Sequence, residues 1–376
     1  MRVVMLVQTF HVNSFGGAER QIASLAPLLK ERGVDVQVVT RRNPHTPGYE
    51  EVYGIPVHRS PLITGPKGDV ITAATYTAYA LAQVKRLHPD VLHAHGLFSP
   101  TVAALSARRL FGVPVVAKAL RGGVLGDVIR VRRKPRGEMR VRNMSREVDG
   151  FITISEEIRE ELLSVGVPPD KCHYIPNGVD ISRFRPADPE TKRMQRAAKG
   201  VADVPTVLYI GRLVPEKRVD NLLKAWETLH AECPRAQLII VGTGTEEQSL
   251  REAAGEGVTF AGRVDDVPAW LQVGDVFVLP SISEGLSNSL LEAMAAGLPI
   301  IASAVGEAPH LITSEEDGWL IPPDDVPALT CALRSALQDI GRTRQIGQHN
   351  RERILNDFQL SVTADKLVEL YHTVLK

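Results

Sequence analysis

Two carboxylates, Glu284 and Glu292, bracket a run of small and polar residues, Gly285, Ser287, Asn288 and Ser289, that suits the start of a helix. Leu290, Leu291, Ala293 and Met294 supply an apolar stripe behind that start, and Gly297 with Pro299 ends it. The free N–H groups of a helix start attract anions. Carboxylates on either side of such a site fit a ligand with an anionic centre and a hydroxyl-rich group at each end, which is the plan of a nucleotide-sugar: hexose, diphosphate, ribose. A plain capped helix accounts for the same residues.

Other reactive side chains fall where short apolar runs end. Arg212 and Lys217 lie in the loop after the run 206–211. A planar guanidinium fork and a compact ammonium together hold a diphosphate and stabilise charge as it leaves, electrostatic catalysis without a metal. An ion pair of Arg212 with Glu216 is the alternative. His93 and His95 share one face of a strand. His95, beside Gly96, is the one to reach a ligand, and His93 suits a buried, hydrogen-bonded role; no Cys or carboxylate stands at metal-ligand spacing from them. Gly16 and Gly17 open a helix after the first strand and let a ligand approach the backbone, as a tight connection also would. Arg263 and Val264 follow the run 258–261, where backbone groups suit a nucleobase edge or a plain loop. Val241-Gly-Thr-Gly244 lacks the third glycine of a dinucleotide fingerprint and is followed by Glu246, which would repel a pyrophosphate, so it reads as a strand-to-helix turn.

The elements that must position these groups alternate. Strands are expected at 3–7, 36–40, 91–94, 113–118 and 151–154, with helices at 19–32, 72–87, 101–111 and 156–165. The rhythm restarts with strands at 206–211, 237–242, 258–261, 276–280 and 298–302 and helices at 219–230, 246–254, 267–273, 289–296, 326–337 and 361–375. Alternation of this kind builds a mostly parallel sheet with helices on both faces. Two such units in 376 residues imply two doubly wound domains, 1–175 and 176–360, divided at the turn-rich Ile175-Pro-Asn-Gly-Val-Asp180, with the C-terminal helix, about 361–376, packing back on the first.

Net charge is zero but unevenly spread: residues 1–175 carry 24 Lys+Arg against 16 Asp+Glu, and residues 176–376 carry 20 against 28. A basic front half favours phosphates, anionic acceptors or an anionic membrane surface. Its densest part runs from Arg121 to Arg146, with Gly122, Gly123 and Gly126 marking a loop in the first half; a solvated basic loop is the alternative. No apolar stretch is long enough to span a membrane, and the N-terminus reads as a strand without a cleavage site, so a cytoplasmic protein is expected. Cys172, Cys233 and Cys331 have no zinc or redox spacing, and no Asp-x-Asp diphosphate–metal signature occurs.

In this order and at these spacings, Gly16-Gly-Ala-Glu19, His93-Ala-His-Gly96, Ile175-Pro-Asn-Gly-Val-Asp180, Gly211-Arg-Leu213 with Glu216-Lys217, the Glu284/Glu292 pair and Gly297-Leu-Pro299 resemble the retaining glycosyltransferases of family 4, over essentially the whole chain. The resemblance implies an α/β protein of the GT-B fold, two facing doubly wound Rossmann-like domains with an interdomain cleft. It implies transfer of a hexose or N-acetylhexosamine from a nucleotide-sugar to an acceptor hydroxyl, with retention, no cofactor and no metal, by a front-face path in which the leaving phosphate assists the acceptor. UDP is the expected nucleotide, since nothing speaks specifically for guanine. By position, Arg212 and Lys217 match the family's diphosphate pair, Glu284 the carboxylate on the donor hydroxyls, and Glu292 the one on the ribose. Backbone N–H groups of Gly285, Leu286 and Ser287 match the phosphate contacts, Gly16 with Gly17 the glycine loop near the diphosphate, and His95 the histidine beside the transferred sugar.

Lys118, Arg121 and the Arg-rich run lie where the family builds acceptor sites. An anionic or lipid-linked acceptor and a peripheral contact at the inner membrane face are expected from that charge; a nucleic-acid partner is not. One departure bears on sugar preference: Gly-Leu-Ser-Asn-Ser-Leu-Leu precedes Glu292 where many members carry Gly-Phe-Gly-Leu. A nicotinamide dehydrogenase would need an intact glycine fingerprint. An epimerase of the same fold is disfavoured by the Glu284/Glu292 pair and Gly16-Gly-Ala-Glu19, and a non-catalytic sugar-nucleotide binder by the presence together of His95, Arg212, Lys217 and Glu284.

Overall fold

The computed structural model describes residues 1–11, 16–63 and 70–376. They form two compact units, residues 1–178 with 360–376, and residues 179–359.

The first unit is built on β1 (Arg2–Leu6), β2 (Asp35–Arg42), β3 (Tyr49–Val52), β4 (Ile55–Ile63), β5 (Val91–His95), β6 (Val115–Lys118), β7 (Gly150–Thr153) and β8 (Cys172–Tyr174), in the sheet order β3-β4-β2-β1-β5-β6-β7-β8. Its helices are α1 (Gly17–Glu31), α2 (Val70–Leu87), α3 (Ser99–Phe111), α4 (Asp127–Arg132), α5 (Gly137–Glu147) and α6 (Glu156–Ser164). The strands run parallel except for the β3–β4 hairpin. Strands β5, β6 and β7 are buried at every residue, as strands covered on both faces must be.

The second unit follows the same plan. Helix α7 (Pro189–Ala198) leads into β9 (Thr206–Ile210), α8 (Val219–Glu232), β10 (Gln237–Val241), α9 (Glu247–Ala253), β11 (Val258–Gly262) and α10 (Val267–Leu271). Then come β12 (Val276–Leu279), α11 (Asn288–Ala295), β13 (Ile300–Ser303), α12 (Ala308–Leu311), β14 (Gly318–Ile321), α13 (Val326–Gln338) and α14 (Ile340–Asp357). The sheet order is β11-β10-β9-β12-β13-β14, parallel throughout. Both sheets therefore reverse direction once, between β1 and β5 and between β9 and β12. A parallel sheet opens a crevice beyond its carboxyl ends at such a reversal.

The final helix, α15 (Leu360–Val374), belongs to the first unit. It buries Leu367, Leu370 and Tyr371, with Leu370 against Gly150 of β7, and Asp365 accepts from Arg32 Nε at 2.6 Å. The turn before the unit boundary is held in the same unit. Gln21 Nε2 donates to the Gly178 carbonyl at 2.8 Å, and the Gly178 N–H donates back to Gln21 Oε1 at 3.2 Å.

Several elements carry no expectation from sequence. The β3–β4 hairpin hides behind two glutamates, two prolines and a turn in which Tyr53 as well as Gly54 takes positive φ, 54° and 74°. β8 and β14 are short outermost strands, and α7 and α14 are rich in charge. The Arg121–Arg146 stretch is loop only to Gly126. From Asp127 it is helical, because Val128, Val131, Val141 and Met144 bury one face of α4 and α5 while seven basic side chains between Arg130 and Arg142 stay exposed.

Leu367→Ala removes a nearly fully buried side chain from α15, a change that costs about 2–5 kcal/mol in well-packed cores. Hydrogen exchange should show protection falling across 1–178 and 360–376 and holding across 179–359. An equal drop in both would contradict the assignment of α15 to the first unit.

Candidate active site

In the second unit the reactive groups gather at the β9/β12 reversal. Arg212 follows β9, and Lys217 closes a short 3-10 turn, Pro215–Lys217. Glu284 lies in the loop after β12 that leads to α11. Lys217 Nζ meets Glu284 Oε1 in a direct ion pair, with both side chains nearly buried. Arg212 is half exposed and pairs loosely with Glu216 at 3.5 Å. The ion pair with Glu216 is thus present, while the guanidinium stands at the carboxyl end of β9, beside the reversal.

Helix α11 begins after Ser287, whose hydroxyl makes no capping bond and lies 3.1 Å from Ser289 Oγ. Glu292 sits one turn further in, 9% exposed among the buried Leu290, Leu291, Ala293 and Met294. Glu284, Gly285, Leu286, Ser287, Ser303 and Glu307 surround a recess of about 10 Å³, room for one water. A sugar has to lie outside it.

The loops are laced by backbone bonds. Gly211 N–H donates to Val241 O at 3.0 Å, Leu213 N–H to Thr243 O at 2.9 Å, and Glu246 N–H to Leu213 O at 3.0 Å. A Cβ on Gly242 would fall 1.8 Å from Gly211 O, and one on Gly244 2.0 Å from Leu213 O. Val241-Gly-Thr-Gly244 is thus a strand-to-helix turn whose glycines let the Arg212 loop lie directly on it. Ile282 N–H donates to Glu216 O at 3.0 Å, which joins the β9 and β12 loops. Glu307 N–H donates to Gly285 O at 2.9 Å, which joins the β13 loop to both. Tyr209 Oη donates to Arg212 O at 2.9 Å from beneath; burial, then the Glu284 charge, hold its phenol well above its usual range.

In the first unit the β1/β5 reversal carries a different set. His93 and His95 stack at 4.2 Å between ring centroids. His93 Nδ1 bonds Tyr371 Oη of α15 at 2.7 Å, which leaves His95 as the ring closer to the strand's carboxyl end. Among the described residues neither ring nitrogen of His95 has a hydrogen-bond partner. Burial, then Lys118, push His93 down to about 3; burial, His93 and Lys118 hold His95 well below the usual histidine range. Lys118 pairs with His95 across β5 and β6, and its Nζ donates to Asn177 Oδ1 at 2.8 Å. Burial lowers it to about 8.

Gly16 is the N-cap of α1 and Gly17 its first residue. A Cβ on Gly16 would come 1.8 Å from Glu19 Oε2, and Glu19 Oε1 accepts from Thr9 Oγ1 at 2.5 Å. The glycine therefore makes room for a carboxylate of its own helix. Arg121 is half-buried, and its carbonyl accepts the Asp127 N–H at 2.9 Å. Exposed Arg263 and half-buried Val264 follow β11, the outermost strand and not one that flanks the reversal. Three residues to which the sequence reading gives no role take part, Tyr371, Ser303 and Glu307, and Asn177, read there only as part of the boundary turn, holds Lys118. Ser303 and Glu307 could have been found by the strand-end argument at β13. Tyr371 could not, since its partner lies 278 positions away.

Two family models match. One, described as Glycosyltransferase Family 4, covers residues 15–183; the other, Glycosyl transferases group 1, covers residues 204–339. The chain is 30% identical over 289 residues to a GDP-mannose-dependent alpha-(1-6)-phosphatidylinositol monomannoside mannosyltransferase of Mycobacterium tuberculosis, covering 73% of this chain and 74% of that one. A monoacylated-substrate counterpart from Corynebacterium glutamicum is 29% identical, covering 82% and 83%. Among solved structures, a sucrose-phosphate synthase from Thermosynechococcus elongatus superposes with TM-score 0.84 at 24% identity over 99% of this chain and 98% of its own. Anabaena HepE in complex with UDP-glucose superposes with TM-score 0.82 at 20% identity over 99% and 100%.

The histidine pair carries a pH signature. Both folded-state values lie below the unfolded 6.5, so the unfolded chain takes up protons first. The pair's contribution to stability is full above pH 6.5 and is lost as pH falls from there toward about 3 for His93. Imidazole ¹⁵N shifts of His93 and His95 should keep the neutral pattern at pH 5 in the folded protein. A protonated His93 at that pH would contradict the buried, Tyr371-bonded geometry.

Proposed function

The chain belongs to glycosyltransferase family 4 and has the GT-B fold, and from that premise we propose that it moves a hexose or N-acetylhexosamine from a nucleotide-sugar to an acceptor hydroxyl with retention of anomeric configuration. The observation that carries the reading is the Lys217–Glu284 pair at the β9/β12 reversal, beside the uncapped start of α11. A lysine there meets a diphosphate, and a carboxylate there accepts from sugar hydroxyls. Arg212, half exposed at the same mouth, brings a second cation to the leaving group. These cations supply the charge that a metal would otherwise bring, so the reaction is read as metal-independent. Glu292 takes the ribose, and neutral His95 offers a ring nitrogen to the transferred sugar. No second carboxylate need stand within reach of the anomeric carbon, unlike a retaining glycosidase; the departing phosphate takes the acceptor proton on the front face.

For the donor we place GDP-mannose ahead of UDP-hexoses. The relatives near 30% identity carry GDP-mannose in their names, whereas UDP rests only on the lack of a guanine-specific signal. Their names also state phosphatidylinositol mannoside acceptors, which agrees with an anionic, lipid-linked acceptor met by the basic face of α4 and α5. Peripheral contact at the inner membrane face is part of this reading; no described helix is long and apolar enough to cross a membrane.

Arg212→Ala is the cleaner kinetic test, because Lys217→Ala also strands a nearly buried carboxylate. It should lower kcat on the order of 100-fold with donor KM within about 3-fold. A matched change in both would remove its transition-state role. In a screen of GDP-mannose, UDP-glucose and UDP-N-acetylglucosamine, one donor should raise Tm and be hydrolysed slowly; indifference to all of them would defeat the transferase reading. Vesicles of anionic lipid should sediment the protein and neutral vesicles should not, and equal, negligible binding to both would sink the membrane contact.

A further inference from the structure

The first unit has a second recess, away from the β1/β5 reversal. It lies between the β3–β4 hairpin and the C-terminal half of α2, a shallow depression open to solvent with about 520 Å³ of space above its floor. Arg42, Tyr49, His58, Tyr79 and Arg86 line it, and none of the described residues around it is acidic.

The two arginines are held but not used up. Arg86 Nη2 bonds His58 Nδ1 at 2.9 Å and its Nε donates to Gln83 Oε1 at 3.0 Å. Arg42 Nε donates to the Thr46 carbonyl at 2.8 Å. Among the described residues, Arg86 Nη1 and both Nη atoms of Arg42 make no recorded bond. His58 is in turn fixed by Gln37 Oε1 at 3.1 Å, and burial and Arg86 push it down to about 4, so it stays a neutral acceptor for the guanidinium. A guanidinium anchored through some of its N–H groups, with others open to the recess, is oriented in advance for a planar anion. Tyr49 lies tilted on His58, with ring centroids 5.1 Å apart, and is 56% exposed; Tyr79 stands on α2. Aromatic faces of this kind cover the C–H side of a sugar ring while the arginines take its charge. A hairpin that needed only to protect a sheet edge would have no use for two unneutralised guanidiniums facing one hollow.

We propose that this recess binds a sugar carrying one anionic group, a phosphate monoester or a carboxylate, as a distal subsite for the acceptor. It rests on the reading of the protein as a transferase to an anionic acceptor. It also backs onto the loop after β1: Arg59, next to His58 on β4, donates to the Phe10 carbonyl at 2.9 Å and pairs with Glu50 at 2.6 Å.

Isothermal titration of the full chain with glucose 6-phosphate, glucuronate, glucose and inorganic phosphate tests this directly. The two anionic sugars should bind at least about 10-fold tighter than either glucose or phosphate alone, which also tells the sugar from its charge. Arg42→Gln with Arg86→Gln should abolish that preference while donor binding and donor hydrolysis stay at the level of the unsubstituted protein. Circular dichroism and the retained donor binding show whether the variant is folded; if it is not, Tyr49→Ala replaces it and should weaken both anionic sugars by a similar factor. Equal binding of charged and neutral sugars overturns the subsite, as does phosphate binding as tightly as glucose 6-phosphate or retention of the preference in the folded variant. Donor hydrolysis that persists through such a failure leaves the transferase reading standing, so the two can fail separately.

Discussion

A carboxylate withdrawn from water is tolerated only if something positive holds it, and the Lys217–Glu284 pair meets that requirement. Both side chains are nearly out of water, where an unpaired charge would cost several kcal/mol. The pair spans the β9/β12 reversal, so the loops that carry it cannot drift independently. The rest of the second unit reads as support for this. The 211–213 backbone lies on Gly242 and Gly244, Glu216 is tied to Ile282, and Gly285 is tied to Glu307. In a low-dielectric site, positions held by backbone bonds are worth more than flexible side chains reaching in, because nothing has to reorganise as charge develops.

The first unit solves a different problem with the same topology. Its reversal presents a stacked pair of neutral histidines, and neutrality comes from burial and from the neighbouring Lys118. Tyr371 fixes His93, and His93 in turn forms the wall on which His95 rests. The C-terminal helix that delivers Tyr371 is therefore part of the site's scaffold and not a tail.

Much of this could be read from the chain because strand ends leave local marks. An apolar run followed by Gly-Arg or His-Gly announces both a buried strand and the side chain at its end; Arg212 and His95 stand at such ends, and Lys217 and Glu284 in the loops that follow β9 and β12. What escaped reading depended on contacts distant in sequence or on composition that misleads. Tyr371 lies inside an ordinary amphipathic helix. His58, Arg59 and Ser60 put polar residues in the middle of a buried strand, so β4 does not look like one. Gly16 was legible as a glycine that must be small, but the atoms it makes room for belong to Glu19.

The acids also sort the ligand by repulsion. Glu284 lies just before α11, Glu292 within it, and Glu307 beside the same recess as Glu284, whose carboxylate is held by Lys217. A phosphate brought against any of them is repelled, whereas a hydroxyl donates to them. On the proposed reading the diphosphate is kept to the stretch between Glu284 and Glu292, beside Lys217, and the neutral, hydroxyl-bearing ends fall to either side. A donor shifted along the site by the length of a phosphate would set charge against charge at a carboxylate, a penalty that discriminates more sharply than any added contact could. On that reading the register of a nucleotide-sugar follows from where negative charge is not allowed, and the cations complete what the carboxylates exclude.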